Sequence, residues 1–252
     1  MTNAMAPGLR GYGPIVGFRY YIGAAGERVR KGQRMERAAW LREKRRVAEE
    51  RMDTLFAPIY DAQWGATIEP SHSAMLDALL ERLPPGGRVL DAACGTGKYW
   101  ARILAGGRGV VGTDRAAGML DRARRKFPSV PTVQRNLQEI AHAGEFDAVI
   151  CIDSLELVPP EDWPTIFANL RRALRPGGLL YFTVELIAPD LLRASQEAAR
   201  AQGLPVVSGE YAHEAGYHYY PDLDQARAWT HDAGFAILEE RTGDDYQHFL
   251  AR

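Results

Sequence analysis

The stretch Val89-Leu-Asp-Ala-Ala-Cys-Gly-Thr-Gly97 reads as an apolar strand that stops in a glycine turn and hands the chain to a helix beginning near Lys98. Glycines at 95 and 97 let the backbone come close to a ligand where a helix begins, and the free amides and dipole of that end favour negative charge. A nucleotide or an amino-acid carboxylate suits such a place. Asp91 lies inside the strand end just before the glycines, where a carboxylate attracts an amino group and repels a pyrophosphate.

Outward from this turn the chain alternates strand and helix. Strands are expected at about 88–93, 109–113, 131–135, 146–152 and 178–186, with helices at about 97–105, 116–126 and 160–174 between them. Short Val- and Ile-rich strands alternating with amphipathic helices indicate βαβ units and a parallel sheet. Helices at about 189–202 and 222–233 follow, then strands at about 235–241 and 245–250. The linker Thr242-Gly-Asp-Asp245 between these last strands is short enough for an antiparallel hairpin. Upstream, apolar residues from Trp40 to Ile59 share one face of a helix running from Ala38 to Trp64 and broken at Pro58. Glu49 and Glu50 supply partners four residues on for Arg45 and Arg46, and Ser71 is expected to cap the next helix, which runs to about Arg82. Residues 1–35, glycine-rich and basic, read as a mobile extension. The organisation expected is therefore an extension at 1–35, N-terminal helices or a lid at 36–83, and a ligand-binding domain at 84–252 with an acceptor-site insert near 187–222.

Two further positions narrow the ligand. A dinucleotide fingerprint places a minimal side chain three residues after its second glycine, for close helix–strand packing, and here that residue is Trp100. The second strand ends in Asp114, about 20 positions after the glycines, where a carboxylate grips ribose hydroxyls. Asp114 fits any adenosine cofactor; Trp100 and Asp91 disfavour a nicotinamide dinucleotide.

With these residues, VVGTD (110–114) followed by RAAGMLDRAR (115–124), FDAVICIDSLELV (146–158) and LRPGGLLYFTVE (174–185), the sequence resembles the class I S-adenosyl-L-methionine (SAM)-dependent methyltransferases over about 60–235. The resemblance implies a Rossmann-like α/β fold: a sheet in the order 3-2-1-4-5-7-6 with one antiparallel strand, helices on both faces and an N-terminal helical extension. It implies that Asp91, Gly95 and Gly97 hold the methionine part of SAM, with Ala93 beside them. Asp114 takes the ribose hydroxyls next to Arg115, and Met119 stands near the adenine or ribose. Asn136 and Leu137 match a place where many members use an acidic and a small apolar residue around adenine. Ile152 and Asp153 match the loop near the reactive methyl. Leu157 departs from the histidine that members often carry there.

The resemblance places substrate-facing elements between the fifth strand and the last helix. There Glu210–Tyr220 carries two histidines, two glutamates and four tyrosines. His218 is the leading candidate base, followed by His213 and Glu214; the tyrosines form an aromatic wall or pack on Trp229. Tyr60 and Trp64 belong to a segment that closes over the cofactor in the family, and Tyr60 joins the expected cofactor contacts. His72 is a weaker candidate for the site, and His248 reads as a sheet residue.

The net charge of −1 gives no whole-chain reason to expect a nucleic acid or a membrane as partner. Cys94 and Cys151 lie in apolar runs away from metal-ligand spacing, so free thiols and no metal are expected. Without a membrane-length apolar run or a signal segment, a cytoplasmic enzyme is the expectation. The leading function is O- or N-methylation of a small-molecule acceptor. Methylation of RNA ribose or protein, docked by the basic 28–51 stretch, and non-catalytic SAM binding are the alternatives. Asp153-Ser-Leu-Glu156 stands where base-amino methyltransferases resemble one another in an Asp/Asn-Pro-Pro-aromatic motif, which disfavours base methylation.

Overall fold

The computed structural model describes residues 36–213 and 216–252, so the expected extension at 1–35 lies outside the described residues. Helix α1 (Arg37–Arg51) opens at Glu36, whose carboxylate accepts the backbone N–H groups of Ala38 and Ala39. It does not run on to Trp64. The chain widens into a π turn at Met52–Phe56, and Pro58, lacking an N–H, separates this turn from the short α2 (Tyr60–Gln63). Arg45 pairs with Asp162 rather than with Glu49, whereas Arg46 bonds Glu50 as well as Glu43.

Helix α3 (Pro70–Glu81) begins two residues earlier than expected. Glu69 occupies the cap position and Pro70 the first turn, where a missing N–H costs nothing. Ser71 is not the cap; its own N–H is accepted by Asp244, 2.6 Å away on a distant turn. Met75, Leu76 and Leu79, spaced at three and four residues, are buried on one face.

There follow β1 (Arg88–Ala92), α4 (Trp100–Ala105), β2 (Gly109–Asp114), α5 (Ala117–Lys126), β3 (Thr132–Gln134), β4 (Phe146–Cys151), α6 (Trp163–Ala173) and β5 (Leu174–Glu185). The chain closes with α7 (Pro189–Ala201), a hairpin of β6 (Glu210–His213) and β7 (Gly216–Tyr219), α8 (Leu223–Asp232), β8 (Ile237–Gly243) and β9 (Tyr246–Ala251). The main sheet has seven strands in the order β3-β2-β1-β4-β5-β9-β8, and β6–β7 form a separate two-stranded sheet. Within the main sheet this is the expected 3-2-1-4-5-7-6 order, and β9 is antiparallel to both neighbours, β5 and β8. The β8–β9 turn places Asp244 and Asp245 at φ 55° and 65°, the left-handed pair that a two-residue hairpin turn requires.

Because helices cover both faces, neighbouring strand residues are buried on opposite sides. Leu90 joins Phe146, Phe167, Phe182 and Phe249 in one core, and Val89 joins Leu79, Trp100, Ile103 and Tyr181 in the other. Strand β1 pairs in parallel with β2 on one side and β4 on the other. Strand order reverses there, which opens a crevice at the carboxyl ends of the strands.

Candidate functional site

The turn after β1 is shaped by three left-handed residues, Ala93 (φ 65°), Gly95 (51°) and Gly97 (76°). A Cβ on Gly97 would stand 2.7 Å from the Trp100 ring, whereas one on Gly95 would meet nothing within 4 Å. Gly97 therefore makes room for packing and Gly95 borders open space. Trp100 Nε1 donates a 2.8 Å hydrogen bond to Asp91 Oδ2. Burial pushes the Asp91 carboxyl up to about 7, with the Trp100 bond opposing and the nearby Asp114 charge adding to the rise. Asp114 accepts the Gly95 N–H on Oδ2 and the Ala116 N–H on Oδ1, each at 2.8 Å. It thus ties the glycine turn to the start of α5. Burial raises its pKa against these two bonds.

A cavity of about 310 Å³ opens over these strand ends. Of the expected cofactor contacts, Asp91, Ala93, Gly95, Asp114 and Arg115 line it, as do Met119, Asn136, Leu137, Ile152 and Tyr60; Gly97 does not. Arg45, Glu49 and Met52 reach it from the N-terminal segment. That segment is tied down at two points. Asp53 accepts the Gly118 N–H at 2.8 Å, capping α5, and Asp61 accepts from Thr96 Oγ1 at 2.6 Å and from Lys126 Nζ at 2.7 Å.

At the end of β4 the cavity is bordered by Asp153, a non-glycine residue at φ 51° whose N–H donates to Thr183 Oγ1. His72 Nε2 donates to Asp153 Oδ1 at 2.8 Å, and Tyr99 Oη donates to Oδ2 at 3.1 Å. Burial pushes this carboxyl up, but the His72 hydrogen bond and charge, Lys98 and Tyr99 outweigh it and hold the pKa below its usual value. Glu156, three residues on, behaves oppositely. Burial, then the charges of Glu185 and Asp153, raise its pKa well above normal and hold it toward the neutral acid. Burial first, and then the Asp153 charge, raise the Tyr60 hydroxyl.

A methyltransferase-domain family model matches residues 89–178. The chain is 30% identical over 217 residues to the ubiquinone biosynthesis O-methyltransferase of Xanthomonas axonopodis pv. citri, covering 78% of this chain and 84% of that protein. It is 37% identical over 162 residues to the putative methyltransferase YqeM of Bacillus subtilis, covering 56% of this chain and 61% of that protein. The chain belongs to the class I SAM-dependent methyltransferases. The magnesium protoporphyrin IX methyltransferase of Synechocystis PCC 6803, solved with bound SAM, shares the fold at a TM-score of 0.58 and 16% identity, over 82% of this chain and 96% of that one.

In this methyltransferase the segment expected to face the acceptor is the β6–β7 hairpin. His218 does not line the cavity; its Nδ1 lies 3.0 Å from Tyr220 Oη and 3.4 Å from Glu185 Oε2 at the end of β5. His213 ends β6 opposite Gly216, and the proposed role of its side chain, like that of Glu214, lies outside what is described. Tyr217 packs edge-on against Trp40 and donates to buried Glu210, and Tyr219 packs on Trp163 and Trp229. These two tyrosines belong to the packing. Trp64 packs on Tyr60 and Phe56 rather than lining the cavity.

Sequence reasoning did not anticipate the methyltransferase's cavity contacts from Arg45, Glu49 and Tyr99, nor the pairing of His72 with Asp153, 81 positions away. His72, Asp244 and His248 also bring possible metal-ligand atoms within 4.8 Å of one another. Hydrogen bonds already engage all three: Asp244 holds Ser71, both His248 nitrogens are bonded, to Tyr181 Oη and the Gly243 carbonyl, and His72 Nε2 is bonded to Asp153. No helix among the described residues is long and apolar enough to cross a membrane.

Proposed function

We propose that this enzyme methylates a hydroxyl or amino group of a small molecule, with SAM bound in the cavity over β1, β2 and β4. The observation that carries the reading is that one cavity joins Asp91, Gly95 and Asp114 to Ile152 and Asp153. The residues present suit the cofactor. Asp91 is a buried carboxylate beside a turn whose Gly95 borders open space, which fits an amino-acid group. Asp114 keeps lone pairs beyond its two backbone bonds for ribose hydroxyls, and Asn136 and Leu137 offer an amide and an apolar wall for a base. SAM supplies an electrophilic methyl on a sulfonium.

The chain's own part is mainly positional, because an in-line displacement needs the nucleophile held close and aligned. Tyr60, reaching the cavity from α2, closes it from the N-terminal side. For a hydroxyl acceptor that reaches beyond the SAM cavity to the β6–β7 hairpin we assign proton removal to His218, whose Nδ1 is bonded to Tyr220 Oη with Glu185 Oε2 3.4 Å away. The ubiquinone biosynthesis O-methyltransferase among its relatives favours small-molecule hydroxyls as the class to try first. The test is a mass-spectrometric screen of phenols, catechols, small carboxylates and amines for gain of one methyl with SAM. A small molecule is expected to turn over, with His218→Ala lowering kcat on a hydroxyl acceptor about 10²-fold or more. Methyl transfer confined to RNA or protein would contradict the reading.

A further inference from the structure

We propose that His72 is a positioning residue that fixes Asp153 as an anion at the methyl end of the cavity, and that Asp153 so held discriminates the sulfonium of SAM from the neutral thioether of S-adenosylhomocysteine (SAH). The inference rests on the placement of SAM given above, with its sulfur near Ile152 and Asp153.

Asp153 borders the cavity on a left-handed backbone, a conformation unfavourable for a side-chain-bearing residue and held here by the bond from its N–H to Thr183. Each carboxylate oxygen accepts one protein donor, His72 Nε2 or Tyr99 Oη, and keeps a lone pair. His72 is 1% exposed and is not among the residues that line the cavity, so it acts on a bound molecule through Asp153. Its ring is clamped between Tyr99, stacked at 6.5 Å between centroids, and the edge-on rings of Tyr246 and His248. The donor is therefore rigid, as a group that aims another group must be.

The surroundings of Asp153 set the sign of its charge. Facing it are His72 from α3, Lys98 and Tyr99 from the glycine turn, Tyr60 from α2, Glu156 from the turn after β4, Tyr181 from β5 and His248 from β9. His72, Lys98 and Tyr99 favour the anion, while Glu156 is held toward its neutral acid and so adds little competing negative charge. The surroundings hold Asp153 toward its anion and Glu156 toward its neutral acid. SAM and SAH differ at this end by one methyl and one positive charge, so an anion fixed here favours the substrate form over the product form.

The test is calorimetric titration of SAM and, separately, SAH from about pH 5 to pH 8, with melting temperature as the folding control. Asp153→Asn is expected to lose about tenfold or more in SAM affinity while SAH affinity stays within about threefold. In His72→Phe the carboxyl loses the bond that lowers its pKa. The SAM preference is then expected to fade with acidification at a higher pH than in the wild type, and His72→Gln, whose amide N–H can donate to Oδ1, to restore the profile in part. If His72→Phe does not fold, Tyr99→Phe, which removes only the Oδ2 bond, is expected to shift the profile in the same direction. An unchanged SAM-to-SAH ratio in Asp153→Asn overturns the proposal, as does an equal loss of both ligands with no change in pH profile. Asp114→Asn, run alongside, is expected to weaken both ligands alike. If it leaves both unchanged, the placement of the cofactor fails and takes this proposal with it.

Discussion

Asp91 and Trp100 show how a single hydrogen bond couples packing to binding. The indole fills the space beside Gly97 and turns its N–H on to a carboxylate that is 2% exposed. With a pKa of about 7 instead of the usual 3.8, Asp91 binds a proton in the folded apo protein that the unfolded chain has already lost. Its contribution to stability is therefore fully present below about pH 4 and lost as pH rises through about 7. Arrival of the SAM ammonium would reverse the balance and ionise Asp91. Calorimetry in buffers of different ionisation enthalpy should then record release of close to one proton at about pH 6, shrinking toward none above about pH 8. Identical heats in both buffers at about pH 6 would contradict the assignment. Part of this was legible in the sequence: Asp91 precedes the glycines at a place suited to an amino group, and Trp100 is too large for a dinucleotide fold. The bond between them was not, because it depends on how the left-handed turn aims residue 100 back at residue 91.

Among the elements, β2 is the one most constrained by its neighbours. A Cβ on Gly112 would lie 2.3 Å from Trp100 Cζ2 and 2.8 Å from Cys94 Sγ, so space rather than backbone freedom demands glycine there. Gly112→Ala is expected to destabilise the protein by about 1–3 kcal/mol, seen as a lower urea midpoint at unchanged m-value. An unchanged midpoint would mean that the Trp100 side of the core is slack. The strand–helix alternation from β1 to β5 was readable because each strand is a short apolar run and each helix carries its own period. The N-terminal helix was read as too long a unit, since its apolar face continues past the point where Met52–Phe56 widen into a π turn. The β6–β7 hairpin was missed as an element even though its period of two is present: Tyr217 and Tyr219 turn inward while Gly216 and His218 stay partly exposed.

Across the whole molecule, the parts outside the sheet converge on one opening. Arg37 at the start of α1 ties Glu161 and the fully buried Glu210 carboxylate of the hairpin, Asp53 and Asp61 pin the N-terminal segment over the glycine turn, and α3 brings His72 behind Asp153. These ties join residues 35 to 173 positions apart, and for that reason they could not be read from local pattern, whereas the glycine turn and the ends of β2 and β4 could. We propose the cavity beside them as the SAM site, with Asp114 as its ribose contact. Calorimetric titration of SAH into the wild type and Asp114→Ala tests it most directly. Saturable binding by the wild type is expected, with an affinity loss of about 10- to 100-fold in a variant that remains folded; equal affinity in the two proteins would rule out this site.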